Sequence, residues 1–172
     1  MAAGATYEPI ATTTLGSAAA SVSFTSISGS YTDLVLVTQL SASTDSSAIE
    51  IRFNDDTASN YSITDLYGNG SSAGSARASN ATFGYLNYYV TPETATTNSY
   101  NSIVNIMNYS NSTTYKTYLC RNNNAESGAA YGGTEAIVGL WRNTNAITKI
   151  TLTINGTFNS GSTFTLYGIK AA

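Results

Sequence analysis

The apolar positions of this chain recur mostly at a spacing of two, and the pattern is clearest between Tyr31 and Asn54 (YTDLVLVTQLSASTDSSAIEIRFN). Leu34-Val35-Leu36-Val37 is an unbroken apolar run, suited to a strand buried on both faces. Ile49, Ile51 and Phe53 then alternate with Glu50, Arg52 and Asn54, the period of a half-buried strand. The small polar linker between them permits either a hairpin or a crossing between two sheets. These runs predict the central strand pair of an all-β domain.

The remaining segments follow the same rhythm. Residues Ala5 to Leu15 read as extended, with Pro9 restricting them to an edge strand or an arm. Val22 and Phe24 share one face of a short strand. Ile63 to Tyr67 fits a short strand or one helical turn. Gly68 to Asn80 (GNGSSAGSARASN) reads as a flexible, Gly-rich loop and a candidate contact loop. Phe83 to Val90 predicts a strand, with Phe83, Tyr85, Asn87 and Tyr89 on one face and Leu86, Tyr88 and Val90 on the other. Tyr100 to Tyr109 and Tyr115 to Arg121 lie at hairpin distance, and Asn122 to Gly133 reads as a second long polar loop. Ile137 to Trp141 and Ile147 to Ile154 predict another hairpin. Thr163 to Lys170 is a terminal strand regular enough to pair with the central ones.

Strands of this number, about eight to ten, at this spacing predict a two-sheet antiparallel β-sandwich, jelly-roll-like in character. No helical pattern of comparable strength and no fixed repeat competes with that reading. The expected organisation is an N-terminal arm or edge strand over residues 1–14 and a single β-sandwich domain over residues 15–172.

Composition narrows the chemistry. Only 10% of residues are charged, so Ser, Thr, Asn and Gly supply the polarity, and the net charge of -3 gives no basic footprint for nucleic acid. There is no His, which excludes Ser-His-Asp and Cys-His catalysis and His-bearing zinc sites. Cys120 is the single cysteine, sits in a strand-like run, and is expected to be a core residue. Asp55 and Asp56, with Asn54 and Asn60, resemble a calcium-ligating cluster in composition. They lack the spacing of the calcium loop, with its Gly at the sixth place and Glu at the twelfth, and predict an ordered turn instead. The other carboxylates are scattered, so the expectation is a protein that is not an enzyme, with no catalytic, cofactor or metal residues to name. No apolar stretch reaches membrane-spanning length. The start of the chain lacks the basic and apolar regions of a secretion signal, so synthesis in a cytoplasm is expected.

Three segments carry a family likeness: SFTSISGSYTDLVLV, IEIRFNDDTASNYS and the closing ITKITLTINGTFNSGSTFTLYGIK. In order and spacing they resemble a group of tailed-bacteriophage virion proteins, small β-sandwiches with a YTDL-type strand, an RFNxDxxxNY-type element and a terminal FxLYGI strand. The likeness runs from about Ser23 to Lys170, and between Gly68 and Gly133 only in character. It implies a virion component, assembled in the host cytoplasm. The leading expectation is a capsid decoration, or cement, protein that binds the major capsid protein and stabilises the shell, commonly as a homotrimer. In that arrangement the arm residues Tyr7, Glu8, Pro9 and Ile10 reach a neighbour, and Tyr85, Tyr88, Tyr89 and Tyr118 supply interface area, since Tyr is enriched at interfaces. For each Tyr, ordinary cross-strand packing is the competing expectation. The alternative is a tail-fibre, receptor-binding or carbohydrate-binding module, in which Tyr and Trp141 would stack on a glycan. Trp141 in its apolar strand fits the core better.

Overall fold

A computed structural model describes residues 6–45, 47–94, 99–124 and 133–170. The described chain is all-β, with twelve strands in two antiparallel sheets that pack as a sandwich. In chain order these are β1 (Tyr7–Thr14), β2 (Ala19–Phe24), β3 (Asp33–Leu40), β4 (Ile49–Phe53), β5 (Tyr61–Gly68) and β6 (Ala73–Ala81). They continue with β7 (Gly84–Tyr85), β8 (Tyr100–Met107), β9 (Lys116–Asn124), β10 (Thr134–Trp141), β11 (Ile150–Phe158) and β12 (Thr163–Ile169). The larger sheet has eight strands in the order β1-β12-β3-β8-β9-β10-β5-β6, and the smaller has four, β2-β11-β4-β7.

The central pair crosses between sheets. β3 sits inside the larger sheet, whereas β4 pairs with β11 in the smaller one. The terminal strand pairs with β3 along its whole length, from Thr163 opposite Gln39 to Ile169 opposite Asp33. β8 and β9 form the expected hairpin. Tyr7–Thr14 lies along β12 as an edge strand of the larger sheet, with a bulge between Pro9 and Ala11. The inward residues of both sheets form one cluster in which Phe53, Tyr61, Tyr118 and Trp141 are fully buried. Phe53 and Trp141 sit 5.5 Å apart at the ring centroids, and Phe53 meets Tyr118 edge-on at 6.0 Å.

Three expectations change. Residues 73–81, read as part of a flexible loop, form β6 against β5. Its inward positions are Gly74, Ala76, Ala78 and, past the bulge, Ala81, so the pattern lacks large apolar residues. The space they leave is used: a Cβ at Gly74 would lie 2.6 Å from the Tyr67 hydroxyl. Second, the expected hairpin of Ile137–Trp141 with Ile147–Ile154 is not formed, because β10 and β11 belong to different sheets. Residues 142–149 cross between them, held by Asn54, whose Oδ1 accepts the N–H groups of Thr148 and Lys149. Third, Phe83–Val90 is strand only at Gly84–Tyr85. Beyond it Leu86 and Asn87 are both buried, which breaks the expected alternation. Most of the second polar loop, residues 125–132, lies outside the described residues.

Gly139 on β10 stands directly opposite Tyr118 on β9. The Tyr118 ring lies across that glycine and delivers its hydroxyl to the Tyr85 carbonyl at 2.9 Å. A Cβ at Gly139 would overlap the ring, which is fully buried and has nowhere to go. The Gly139→Ala substitution is therefore expected to cost about 1–3 kcal/mol, the usual range for overpacking, in a denaturant titration. Gly16→Ala, with no atom within 4 Å of the new methyl, is expected to change little in the same assay.

Candidate functional site

The outer face of the larger sheet carries several exposed large apolar side chains. Reading across the register, Val37 pairs with Ile103, Ile103 with Arg121, Arg121 with Ala136, and Ala136 with Leu66. The adjacent row runs Tyr167, Val35, Asn105, Leu119, Val138 and Thr64. Leu66 is 61% exposed, Val138 55%, Ile103 and Met107 41% each, and Val37 37%. Scattered single apolar residues on a surface need no explanation, but these lie on adjoining strands. Between them is a concavity of about 530 Å³ whose lining includes Leu66, Ile103, Arg121, Asn123, Thr134 and Ala136.

The face extends to the sheet edge. Tyr7 is 59% exposed and meets Tyr167 edge-on at 6.3 Å, and Pro9 stands opposite Tyr167. Glu8 and Ile10 are less exposed than these two. The Glu8 carboxylate pairs with Lys170 at 2.7 Å, and Ile10 packs against the core cluster. Of the four arm residues, Tyr7 and Pro9 thus contribute to the outer face.

The three tyrosines lie elsewhere, at the end of the sandwich where β7 contacts β5 and β10. Tyr88 is 43% exposed and meets Tyr85 edge-on at 5.1 Å. Tyr89 stacks on Tyr67 with centroids 3.9 Å apart. Tyr85 in turn meets Phe83, over which Arg52 sits at 5.2 Å. Tyr118 is fully buried and is no surface residue. Trp141 is likewise buried, so it offers no stacking platform to a ligand.

Asp55 and Asp56 face donors. Asp55 accepts the Lys149 ammonium at 2.6 Å and the Thr151 hydroxyl at 2.9 Å, which hold its carboxyl below the usual range. Asp56 accepts the Ala58 N–H, the Asn60 amide, the Trp141 indole N–H at 2.8 Å and, more distantly, the Asn143 amide. Partial burial by itself would raise the Asp56 pKa, but these donors outweigh it and the net shift is downward. The loop is an Asx turn whose side chain doubles as the hydrogen-bond partner of a buried indole. Cys120 is buried, and desolvation pushes its thiol far up, away from nucleophilic reactivity.

Compared with protein-family models and with curated proteins, the chain matches none.

Removing the Asp56 carboxylate strands the indole N–H of Trp141 in the core. Asp56→Ala is expected to destabilise by about 1–3 kcal/mol, the cost of an unmet buried donor, with a shifted tryptophan emission. Because the Asp56 pKa is depressed on folding, its stabilisation is present above the unfolded carboxylate pKa and is lost as pH falls through the folded value. Urea midpoints between pH 5 and pH 2 should therefore fall less steeply in the variant than in the parent chain.

Proposed function

We propose that this protein is a non-enzymatic structural component of a tailed-phage virion, a decoration protein that joins copies of itself and the major capsid protein. The observation that carries the reading is the apolar, charge-poor outer face of the eight-stranded sheet. Val37, Leu66, Ile103, Met107 and Val138 stand exposed there in a chain with only 10% charged residues. These side chains are 37–61% exposed in the chain alone, so covering each contributes roughly half of the ~1.5–3 kcal/mol of a whole apolar side chain, before the cost of association. In the rows from Val37 to Leu66 and from Tyr167 to Thr64, Arg121 is the charge that a partner must pair, and the other positions are uncharged, which suits a lasting protein–protein interface.

The likeness of the three sequence segments to virion β-sandwiches supports the same reading and supplies the expected trimer. In such an assembly Tyr7 and Pro9 would extend the interface along the edge strand, while Tyr88 would lie at the far end of the sandwich. A tail-fibre or glycan-binding role is the alternative, and the buried Trp141 weakens its glycan form.

Light scattering on the purified chain is expected to give three times its mass of 18.0 kDa. The double substitution Ile103→Asp and Val138→Asp should yield a folded monomer that no longer co-sediments with empty phage capsids. A parent chain that is monomeric and ignores capsids would overturn the proposal. A trimer indifferent to both substitutions would remove the outer face as its interface.

A further inference from the structure

Two carboxylates are buried together on the inner face of the larger sheet. Asp65 on β5 is fully buried, and Glu135 on β10 is 4% exposed. Asp65 pairs across the ladder with Ile137, and Glu135 with Tyr67, so the two acids are diagonal neighbours on one face. Glu135 already accepts three hydrogen bonds and keeps acceptor capacity on Oε2. Its Oε1 takes the N–H groups of Tyr88 and Tyr89, each at 2.7 Å, and its Oε2 takes the Asn122 amide at 2.8 Å. Neither Asp65 oxygen has a donor among the described residues.

Among the described residues, the groups packed around the pair supply no counter-charge. From β9 come Cys120 and Asn122, from β8 Tyr100, and from the segment after β7 the backbone N–H groups of Tyr88 and Tyr89. The arginines of neighbouring strands, Arg121 on β9 and Arg77 on β6, are at exposed positions of the outer face. Two ionised carboxylates in contact inside a dry sandwich repel and are poorly solvated, so one of them must be neutralised. Since Glu135 accepts three N–H donors, it is suited to keep the charge. Asp65 with a proton gains what it otherwise lacks, a hydrogen bond, by donating to Glu135.

We propose that Asp65 and Glu135 share one proton and form a latch that holds the Tyr88–Tyr89 backbone to the larger sheet below neutral pH and loosens it above. Burial first, and then the charge and hydrogen bond of Glu135, push the Asp65 carboxyl up from 3.8 to about 7. When Asp65 ionises, the repulsion falls on the carboxylate that accepts the Tyr88 and Tyr89 N–H groups. The segment that loosens carries Tyr88, already 43% exposed, and Tyr89, whose ring would leave Tyr67.

The folded chain holds the Asp65 proton up to about pH 7, whereas an ordinary carboxyl loses it near 3.8. Stability tied to this proton is therefore fully present in acid and is lost as pH rises through the folded pKa. The chain has no His, so no unperturbed side chain competes for the window between pH 5 and 8. Asp55 and Asp56, with lowered values, stay ionised throughout it.

The test is urea unfolding of the full chain from pH 5 to 8 at fixed concentration, with amide exchange followed at Tyr88 and Tyr89. The unfolding constant should rise about tenfold per pH unit up to the Asp65 pKa, the slope of one proton released on unfolding. Asp65→Asn, which keeps the shape and a donor, should flatten that slope and keep both amides protected at pH 8. Should that variant fail to fold, Glu135→Gln provides the second reading, since it keeps an acceptor for both amides and should move the sloping window to lower pH. A flat profile in the parent chain would overturn the latch, as would an equal slope in Asp65→Asn. Stabilisation at pH 8 by added calcium chloride in the parent but not in Asp65→Asn would also overturn it, because a cation would then neutralise the pair.

Discussion

The structure turns on a need that is local but unforgiving. The chain between β7 and β8 carries a run of buried residues, Val90 to Glu93 after Leu86 and Asn87, without belonging to a strand. Backbone N–H and C=O groups removed from water must still be paired. Here side chains act as the missing strand. The Asn87 side chain accepts the Ile49 N–H and donates to the Ser47 carbonyl. Leu86 O takes the Tyr100 hydroxyl and the Asn122 amide, and Glu135 takes the next two N–H groups.

That solution shapes the core around it. Polar side chains must stand on the inner faces of β5, β9 and β10, where Asp65, Asn122 and Glu135 replace the apolar residues of an ordinary sandwich. At the other end the same strands carry Tyr61, Tyr118 and Trp141 around Phe53, a nearly dry aromatic cluster. The inner surface is thus divided lengthwise. One end gains its stability from buried aromatic area, and the other from hydrogen bonds that are costly if incomplete.

This division explains what the sequence revealed and what it hid. Where large apolar residues alternate with polar ones, as in Ile49–Phe53, Tyr100–Met107 and Thr163–Ile169, strand and buried face were both legible. β6 was obscured because its inner positions are Gly and Ala, whose fit depends on Tyr67 from the neighbouring strand. Phe83–Val90 misled for the opposite reason: its residues favour strand, but its hydrogen-bond partners are side chains distant in sequence, up to Glu135. Sheet membership of β10 and β11 was equally hidden, since both strands have an apolar side and short spacing cannot distinguish a hairpin from a crossing. The Asp65–Glu135 pair left no local signal, because the two lie 70 positions apart and meet only through the pairing of β5 with β10.

The run Leu34-Val35-Leu36-Val37 carried more information than its strand assignment. An unbroken apolar run fits a strand covered on both faces. Within one chain the inner pair is fully covered, while Val35 is 7% and Val37 37% exposed, and the surface grows more open toward Ile103, Val138 and Leu66. The run is thus covered on both faces within one chain except for the remaining exposure of Val37. The proposed packing of copies across this face would remove it. It also fits the scarcity of charge, because a surface destined for burial gains nothing from ions that must be stripped of water.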